Sequence, residues 1–220
     1  MMNILLYIGV IVIVGYLIGS LHGSLIAQKL SGINVKENGI KNSGASNATI
    51  VLGWKYGLLV AIFDIGKGFL AVFILSLLIS SWQTLLAYHN SLLFLMSFMV
   101  VIGHNYPVWM KFNGGKGTAA VIGVLLALDW KMGLIGLFTL VVVSLITDYL
   151  LIGVLFLYVT FCGYSIWFSH DIWSIIIAFF LFILAIWKHQ ENISRLKAGT
   201  EPRVSHVLKF KDKRTKSLKS

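Results

Sequence analysis

Long apolar runs, each ended by a short cluster of charges or glycines, set the pattern of this chain. A run crosses about 30 Å of hydrocarbon when it holds roughly 20 helical residues. Clear runs lie near residues 4–21, 58–79 and 85–102, and shorter ones follow near 119–128, 133–146, 150–168 and 172–187. Asp129, Lys131, Asp148, His170 and Asp171 fall between the later runs. Such groups are costly at a bilayer centre, so they read as connections between helices. The pattern predicts an all-α polytopic membrane bundle of about seven transmembrane helices. The run at 119–128 would be only about 15 Å long at 1.5 Å per residue, so five crossings with a re-entrant pair is the alternative.

Composition excludes a soluble globule. With 58% hydrophobic and 12% charged residues and a mean hydropathy of +0.87, polar surface is too scarce to cover one. The single cysteine, Cys162, lies in an apolar run and cannot form an intramolecular disulfide. Residues 1–6 carry no Lys or Arg and the apolar run continues to about residue 21, so the first helix is expected to stay rather than be cleaved as a signal.

Charge then orients the bundle. Four lysines lie in 29–55, two in 111–116 and ten Lys or Arg in 188–219, which is 16 of the 18 basic residues. The positive-inside rule places all three segments in the cytoplasm. An even number of crossings must then separate them. Two clear helices join the first segment to the second, and between the second segment and the tail two or four crossings fit. The four apolar runs with charges between them favour four, giving seven helices with the N-terminus outside and the C-terminus cytoplasmic. The pI of 9.7 does not point to nucleic acid, because the basic residues cluster where this rule puts them. Residues 1–207 read as one membrane domain. Residues 208–220 form a basic cytoplasmic tail, suited to an anionic lipid surface at about 1 kcal/mol per basic residue near it.

Parity also brings three polar segments, distant in sequence, to one face of the bilayer, where they could build one site. The first, 19–53, combines Gly39, Asn42, Gly44, Ser46 and Asn47 in a stretch too glycine-rich for a stable helix. Its backbone N–H groups would be free to form an anion-binding concavity, though a plain turn-rich loop fits equally. The second reads GHNYPVWMKFNGGKGT from Gly103 to Thr118 and sets Gly114, Gly115 and Gly117 around Lys116. Backbone donors, a helix N-terminus and a lysine point charge suit a phosphate. This is not a Walker A loop, which would need Gly at Met110 and Ser or Thr at Gly117. The third reads WKHQENISRLKAGTEPR from Trp187. If helical, it puts His189, Asn192 and Arg195 on one face, although a solvated basic cap on the last helix is the bland reading.

Taken together the segments resemble the PlsY family of bacterial membrane acyltransferases, which move an acyl chain from acyl-phosphate to glycerol 3-phosphate. The second segment is similar to the family's second motif through Gly103, His104, Asn105, Pro107, Phe112 and GGKG. The third keeps His189, Asn192, Ile193, Arg195, Leu196, Gly199 and Glu201, and FDIGKG, with Asp64 and Lys67, resembles the family's second helix. The likeness runs from about Gly19 to Pro202. It implies that Lys116, His189 and Asn192 hold the acceptor phosphate. It also implies that Ser20, Gly39, Asn42, Gly44 and Asn47 lie near the donor phosphate, and that Glu201 is mainly structural. Lys36, Ser46 and the three glycines around Lys116 complete the expected substrate-binding set. A bacterial cell membrane, a cytoplasmic-face site, a monomer, and no cofactor or metal are expected.

Departures from that pattern are specific. The family usually carries Asp and Arg where this chain has Asn34 and Lys36, Ser-Gly at Ile40-Lys41, Thr at Ser46 and Arg at Ile50. It has Thr-Arg-Tyr-Val-Ser where this chain reads Thr147-Asp148-Tyr149-Leu150-Leu151. Lys36 keeps charge without the planar fork of an arginine, and Lys41 could restore one positive charge. These changes describe a divergent paralogue, for which another hydroxyl acceptor is the alternative; a lipid transporter or binding protein without chemistry is a second.

The chemistry asks little of side chains. An acyl-phosphate has a good leaving group, so positioning and electrostatics supply most of the acceleration. The H-x-x-x-x-D pair of other acyltransferases is absent, since no histidine has Asp five residues later. His104 is the candidate base, with a helix cap and turn as its competing role. Asp64 and Lys67, one turn apart within a span, read as a mutually neutralising structural pair, with a proton relay as the alternative.

Overall fold

Each of the seven apolar runs is helical in a computed structural model that describes residues 4–206, although the third is broken by a turn at 87–88 before its main helix begins at His89. In chain order the helices are α1 Ile4–Ser20, α2 Gly23–Ser31, α3 Ala45–Leu52, α4 Trp54–Ser80, α5 Gln83–Leu86, α6 His89–Asn105, α7 Thr118–Leu128, α8 Trp130–Thr147, α9 Leu150–Phe168, α10 Ile172–Lys188 and α11 Gln190–Lys197. No strand occurs among the described residues. The basic tail from 208 onward lies outside them.

Five stretches are long and apolar enough to cross a membrane: Ile4–Ser31, Trp54–Ser80, His89–Met110, Trp130–Thr147 and Leu150–Phe168. The pair α10 and α11, bent by 52° at its junction, makes a sixth if the two are one broken span, while α7 has only 11 residues. Phe138, Ile146 and Trp167 turn 68%, 78% and 70% of their surface outward. Hydrocarbon, not water, is the solvent such a belt fits.

The charges that separate the runs work as helix ends. Asp129 accepts from the N–H groups of Lys131 and Met132 at 2.8 and 3.1 Å and caps α8. Asp171 caps α10 through the Ser174 N–H at 2.9 Å and also accepts from the Ser91 hydroxyl at 3.0 Å. Each satisfies donors that a helix leaves open in its first turn.

Two helix pairs touch backbone to backbone, and small residues allow it. A Cβ on Gly19 would meet the Val100 backbone, and one on Gly103 would meet that of Tyr16 and Ser20, so α1 and α6 cross without side chains between them. Gly68 against Ala120 and Gly123 against Ile65 and Phe69 do the same for α4 and α7. These crossings bring the end of α1, the end of α6 and the start of α7 together.

One expectation is corrected in the first polar segment. Rather than one open glycine-rich stretch, it folds as α2, a connection over 32–44 containing a short 3-10 turn at Val35–Glu37, and α3. Ser46 and Asn47 therefore stand in the first turn of a helix. Tertiary packing overrides local propensity here. Ala27, Val35, Ala48 and Val60 form a small buried core of their own, and Gly57 of α4 leaves room for Thr49.

Candidate active site

The three polar segments meet around one open cavity of about 810 Å³. Lys36, Glu37, Lys41 and Asn42 line it from the first segment, Tyr106 and Asn113–Lys116 from the second, and Trp187, Lys188, Gln190 and Glu191 from the third. Four lysines face two glutamates, so the cavity carries surplus positive charge suited to a phosphate.

The second segment forms a loop that closes upon itself. The N–H groups of Gly114 and Gly115 donate to the carbonyls of Asn105 and His104, both at 3.1 Å. Those two amides therefore close the loop and are not free for a ligand. Similarly, in the first segment Ile40 N–H donates to Asn47 Oδ1 at 2.9 Å and Lys41 N–H to the Asn38 carbonyl at 3.2 Å. What the glycines supply is space. A Cβ on Gly115 would collide with the His104 ring, and Gly117, at φ +86°, turns the chain into α7.

Lys116 rises from this loop half-buried. Its Nζ donates to Asn192 Oδ1, whose amide donates to Glu201 Oε1 at 2.6 Å. Glu201 Oε2 accepts from Arg195 Nε at 2.8 Å, and the other end of the guanidinium lies 3.9 Å from Glu191. Lys116, Asn192, Glu201 and Arg195 thus form one chain of charge-assisted bonds. Burial lowers the Lys116 pKa from its ordinary value, with Glu191 and Glu201 opposing and Arg195 and Lys188 adding to the shift. His189 is the N-cap residue of α11, buried, with Nδ1 2.8 Å from the Ala185 carbonyl. That contact turns its ring back toward α10, and His189 does not line the cavity.

Lys36 donates from Nζ to the Asn113 carbonyl and so joins the first segment to the second. Burial lowers its pKa as well. Lys188 stacks its ammonium over the Tyr106 ring, 4.7 Å from the centroid, at cation–π distance. Lys41 holds the left-handed conformation at φ +53°, uncommon for a residue with a side chain, and its Nζ has no partner among the described residues.

Behind the loop lies a second polar centre, shut off from the cavity. Lys67 Nζ lies 3.1 Å from Asp64 Oδ1, 2.9 Å from His104 Nδ1 and 2.8 Å from the Gly19 carbonyl, and also reaches the Leu21 carbonyl. His22 stacks on His104 with centroids 4.5 Å apart and reaches the His104 carbonyl at 2.9 Å. His22, Asp64 and His104 are close enough to suggest a metal cluster. The Lys67 ammonium already occupies that position, so the donor set does not fit a metal ion.

The expected site residues therefore divide. Lys36, Asn42, Gly114, Gly115 and Lys116 line the cavity, and Asn192 is bonded to Lys116. Ser20 does not line it: wholly buried, it donates to the Tyr16 carbonyl at 2.8 Å. His104 lies beneath Gly115 with Nδ1 facing Lys67, which is the place of a support and not of a base open to substrate. Asn47 Nδ2 lies 2.7–2.9 Å from the carbonyls of Val35, Asn38 and Asn42, among which its two hydrogens are shared, and ties the first segment together from inside. Gly39, at φ +64°, packs against Asn47; Gly44 precedes α3, and neither they nor Ser46 line the cavity. Lys41, which the sequence offers only as a compensating charge, lines the cavity with Lys188 and Tyr106, which sequence reasoning does not place in the site. The only signal for Lys188 was its place directly before His189.

Comparison with known proteins gives one result throughout. A family model described as "Glycerol-3-phosphate acyltransferase" matches residues 9–199. The chain is 42% identical over 196 residues to glycerol-3-phosphate acyltransferase 1 of Oceanobacillus iheyensis, covering 89% of this chain and 94% of that one. It is 36% identical over 198 residues to the glycerol-3-phosphate acyltransferase of Carboxydothermus hydrogenoformans, covering 87% and 94%. The crystal structure of PlsY, an integral membrane glycerol 3-phosphate acyltransferase in its glycerol 3-phosphate form, superposes with a TM-score of 0.79 at 29% identity, covering 90% of this chain and 95% of that one. Its lysophosphatidic acid form gives 0.77, also at 29% identity.

Proposed function

Since the chain belongs to the glycerol-3-phosphate acyltransferase family, we propose that it transfers an acyl chain from an acyl-phosphate to the 1-hydroxyl of glycerol 3-phosphate. The product is lysophosphatidate, for phospholipid synthesis. The reaction takes place in the lysine-lined cavity, on the cytoplasmic face of a bacterial cell membrane. In this reading all seven apolar helices cross the bilayer, with the N-terminus outside, and the protein acts as a monomer. Support for the last point is that one chain supplies all three segments of the cavity.

The observation that carries the reading is the Lys116–Asn192–Glu201–Arg195 chain opening onto a cavity with four lysines. Both substrates are phosphate monoanions or dianions and repel one another. Lysines on three sides offset that repulsion and bring the acceptor hydroxyl to the acyl carbonyl. The hydroxyl oxygen then forms the new ester bond, the carbon–oxygen bond to phosphate breaks, and phosphate departs with its electron pair and the hydroxyl proton. No protein base is required for that balance. His104, Ser20 and Asn47 hold the loops in place, while Lys116, Lys41 and Lys188 face the anions. The loss of an arginine at Lys36 is compatible with this division, because Lys36 is used between the loops.

Purified protein given palmitoyl-phosphate and radiolabelled glycerol 3-phosphate should form lysophosphatidate, and Lys116→Ala should form far less. Consumption of the donor only with other hydroxyl acceptors would redirect the reading to a different acceptor. A donor that is never consumed would end it.

A further inference from the structure

The described C-terminal residues are fastened to a distant loop, between α8 and α9. Asp148 ends α8 in the left-handed conformation at φ +64°. Its carboxylate takes both bonds that Ser205 offers, the N–H on Oδ1 at 2.7 Å and the hydroxyl on Oδ2 at 2.8 Å. The Asp148 carbonyl accepts a third, from Val204 N–H at 2.9 Å. Three bonds converging on one half-exposed residue across 57 positions of sequence are more than a helix end requires. Their charge-assisted character agrees with a carboxyl held below its usual range, by the two Ser205 bonds first and by Arg203 and His206 nearby.

The segment fastened in this way begins four residues earlier with Glu201, the residue that holds both Asn192 and Arg195. We propose that Asp148 is a positioning residue for acyl transfer: by clasping Val204 and Ser205 it sets Glu201, which orients Asn192 and through it Lys116. The proposal rests on the cavity being the acyl-transfer site. Sequence resemblance would put an arginine at this position, so the clasp belongs to this chain's own form of the site.

The test uses the full chain in lipid nanodiscs. Asp148→Ala should raise the KM for glycerol 3-phosphate about fivefold while kcat changes less than about twofold, the signature of a displaced binding group. Asp148→Asn should recover part of this, and Ser205→Ala, which keeps the backbone bonds, should show a smaller rise. In a Glu201→Gln background Asp148→Ala should add nothing, because the path from Asp148 to Lys116 is already cut. Trypsin gives an arm independent of activity: exposed Arg203 adjoins the clasp, and cleavage after it should quicken about tenfold in Asp148→Ala. An unchanged KM, or effects of Asp148→Ala and Glu201→Gln that multiply, overturns the positioning role. If the unmutated protein makes no lysophosphatidate, the proposed function falls. Unaltered cleavage at Arg203 would then remove the clasp separately.

Discussion

Lys67 and Lys116 are the same residue in two different states of satisfaction. An ammonium has three hydrogens to donate. Around Lys67 stand four acceptors, namely Asp64 Oδ1, His104 Nδ1 and the carbonyls of Gly19 and Leu21, and only 6% of the residue is exposed. Around Lys116 stands one among the described residues, Asn192 Oδ1, and the residue opens onto the cavity. The first lysine has nothing left for a ligand; the second has most of its donors left. A buried ion pair holds α1, α4 and α6 in place, and in the proposed reaction a half-buried lysine uses that frame to meet an anion. Charge alone does not mark the site, since the more deeply buried lysine belongs to the scaffold.

The largest way to break this contrast is to empty the dry centre. Lys67→Met leaves the Asp64 carboxylate buried without its cation, and removing one partner of such a pair costs about 3–5 kcal/mol. The protein should lose most of its thermal stability in detergent, and Asp64→Asn combined with Lys67→Met should recover part of it. A Lys67→Met protein that melts like the unmutated one would reject the structural role. Next in size is Lys116→Ala. It should leave the melting temperature nearly unchanged and lower kcat/KM by about 10²-fold or more, the scale of a lost charge-stabilising donor. Equal losses of stability at both lysines would erase the distinction.

How much of this was legible in the sequence depends on the kind of force involved. Seven apolar runs became seven helices because burial in hydrocarbon acts along the chain, and Asp129 and Asp171 became caps because a charge in such a chain has few other places to be. The meeting of three polar segments was also legible, since charge and parity together predict them on one face, and all three line the cavity. Hidden were α2 and α3, whose stability comes from Ala27 and Ala48 packing on Val60 rather than from propensity. The motifs named Ser20, His104 and Asn47 without showing which way each side chain faces, and all three face the scaffold. The pairing of Asp148 with Ser205 depends on a distance in space that no local pattern records.

Smaller changes sharpen the contrast at the loop between the two lysines. Gly115 separates the cavity from the dry centre, and a methyl group there must displace the His104 ring. Gly115→Ala should cost about 1–3 kcal/mol by overpacking, and it should weaken both stability and turnover, unlike either lysine change. Loss of one alone would show that the two centres are not mechanically joined there.

The mildest perturbation is pH. Burial disfavours the charged form of Lys116, so its pKa in the free protein lies below the ordinary lysine value, and the ammonium is lost as pH rises through that lowered value. In the proposed site glycerol 3-phosphate pairs with the charged form. Thus kcat/KM should fall on the alkaline side earlier than an exposed lysine would dictate, while saturating substrate, which favours the cation, should push the limb of kcat to higher pH. Lys116→Arg keeps its charge throughout that range. It should therefore move the alkaline limb upward even where its maximum rate is lower, because the guanidinium lacks the compact geometry that Asn192 accepts. If the limb stayed in place, the titrating group would be another of the cavity lysines, with Lys36, also lowered by burial, the first to examine by the same substitution.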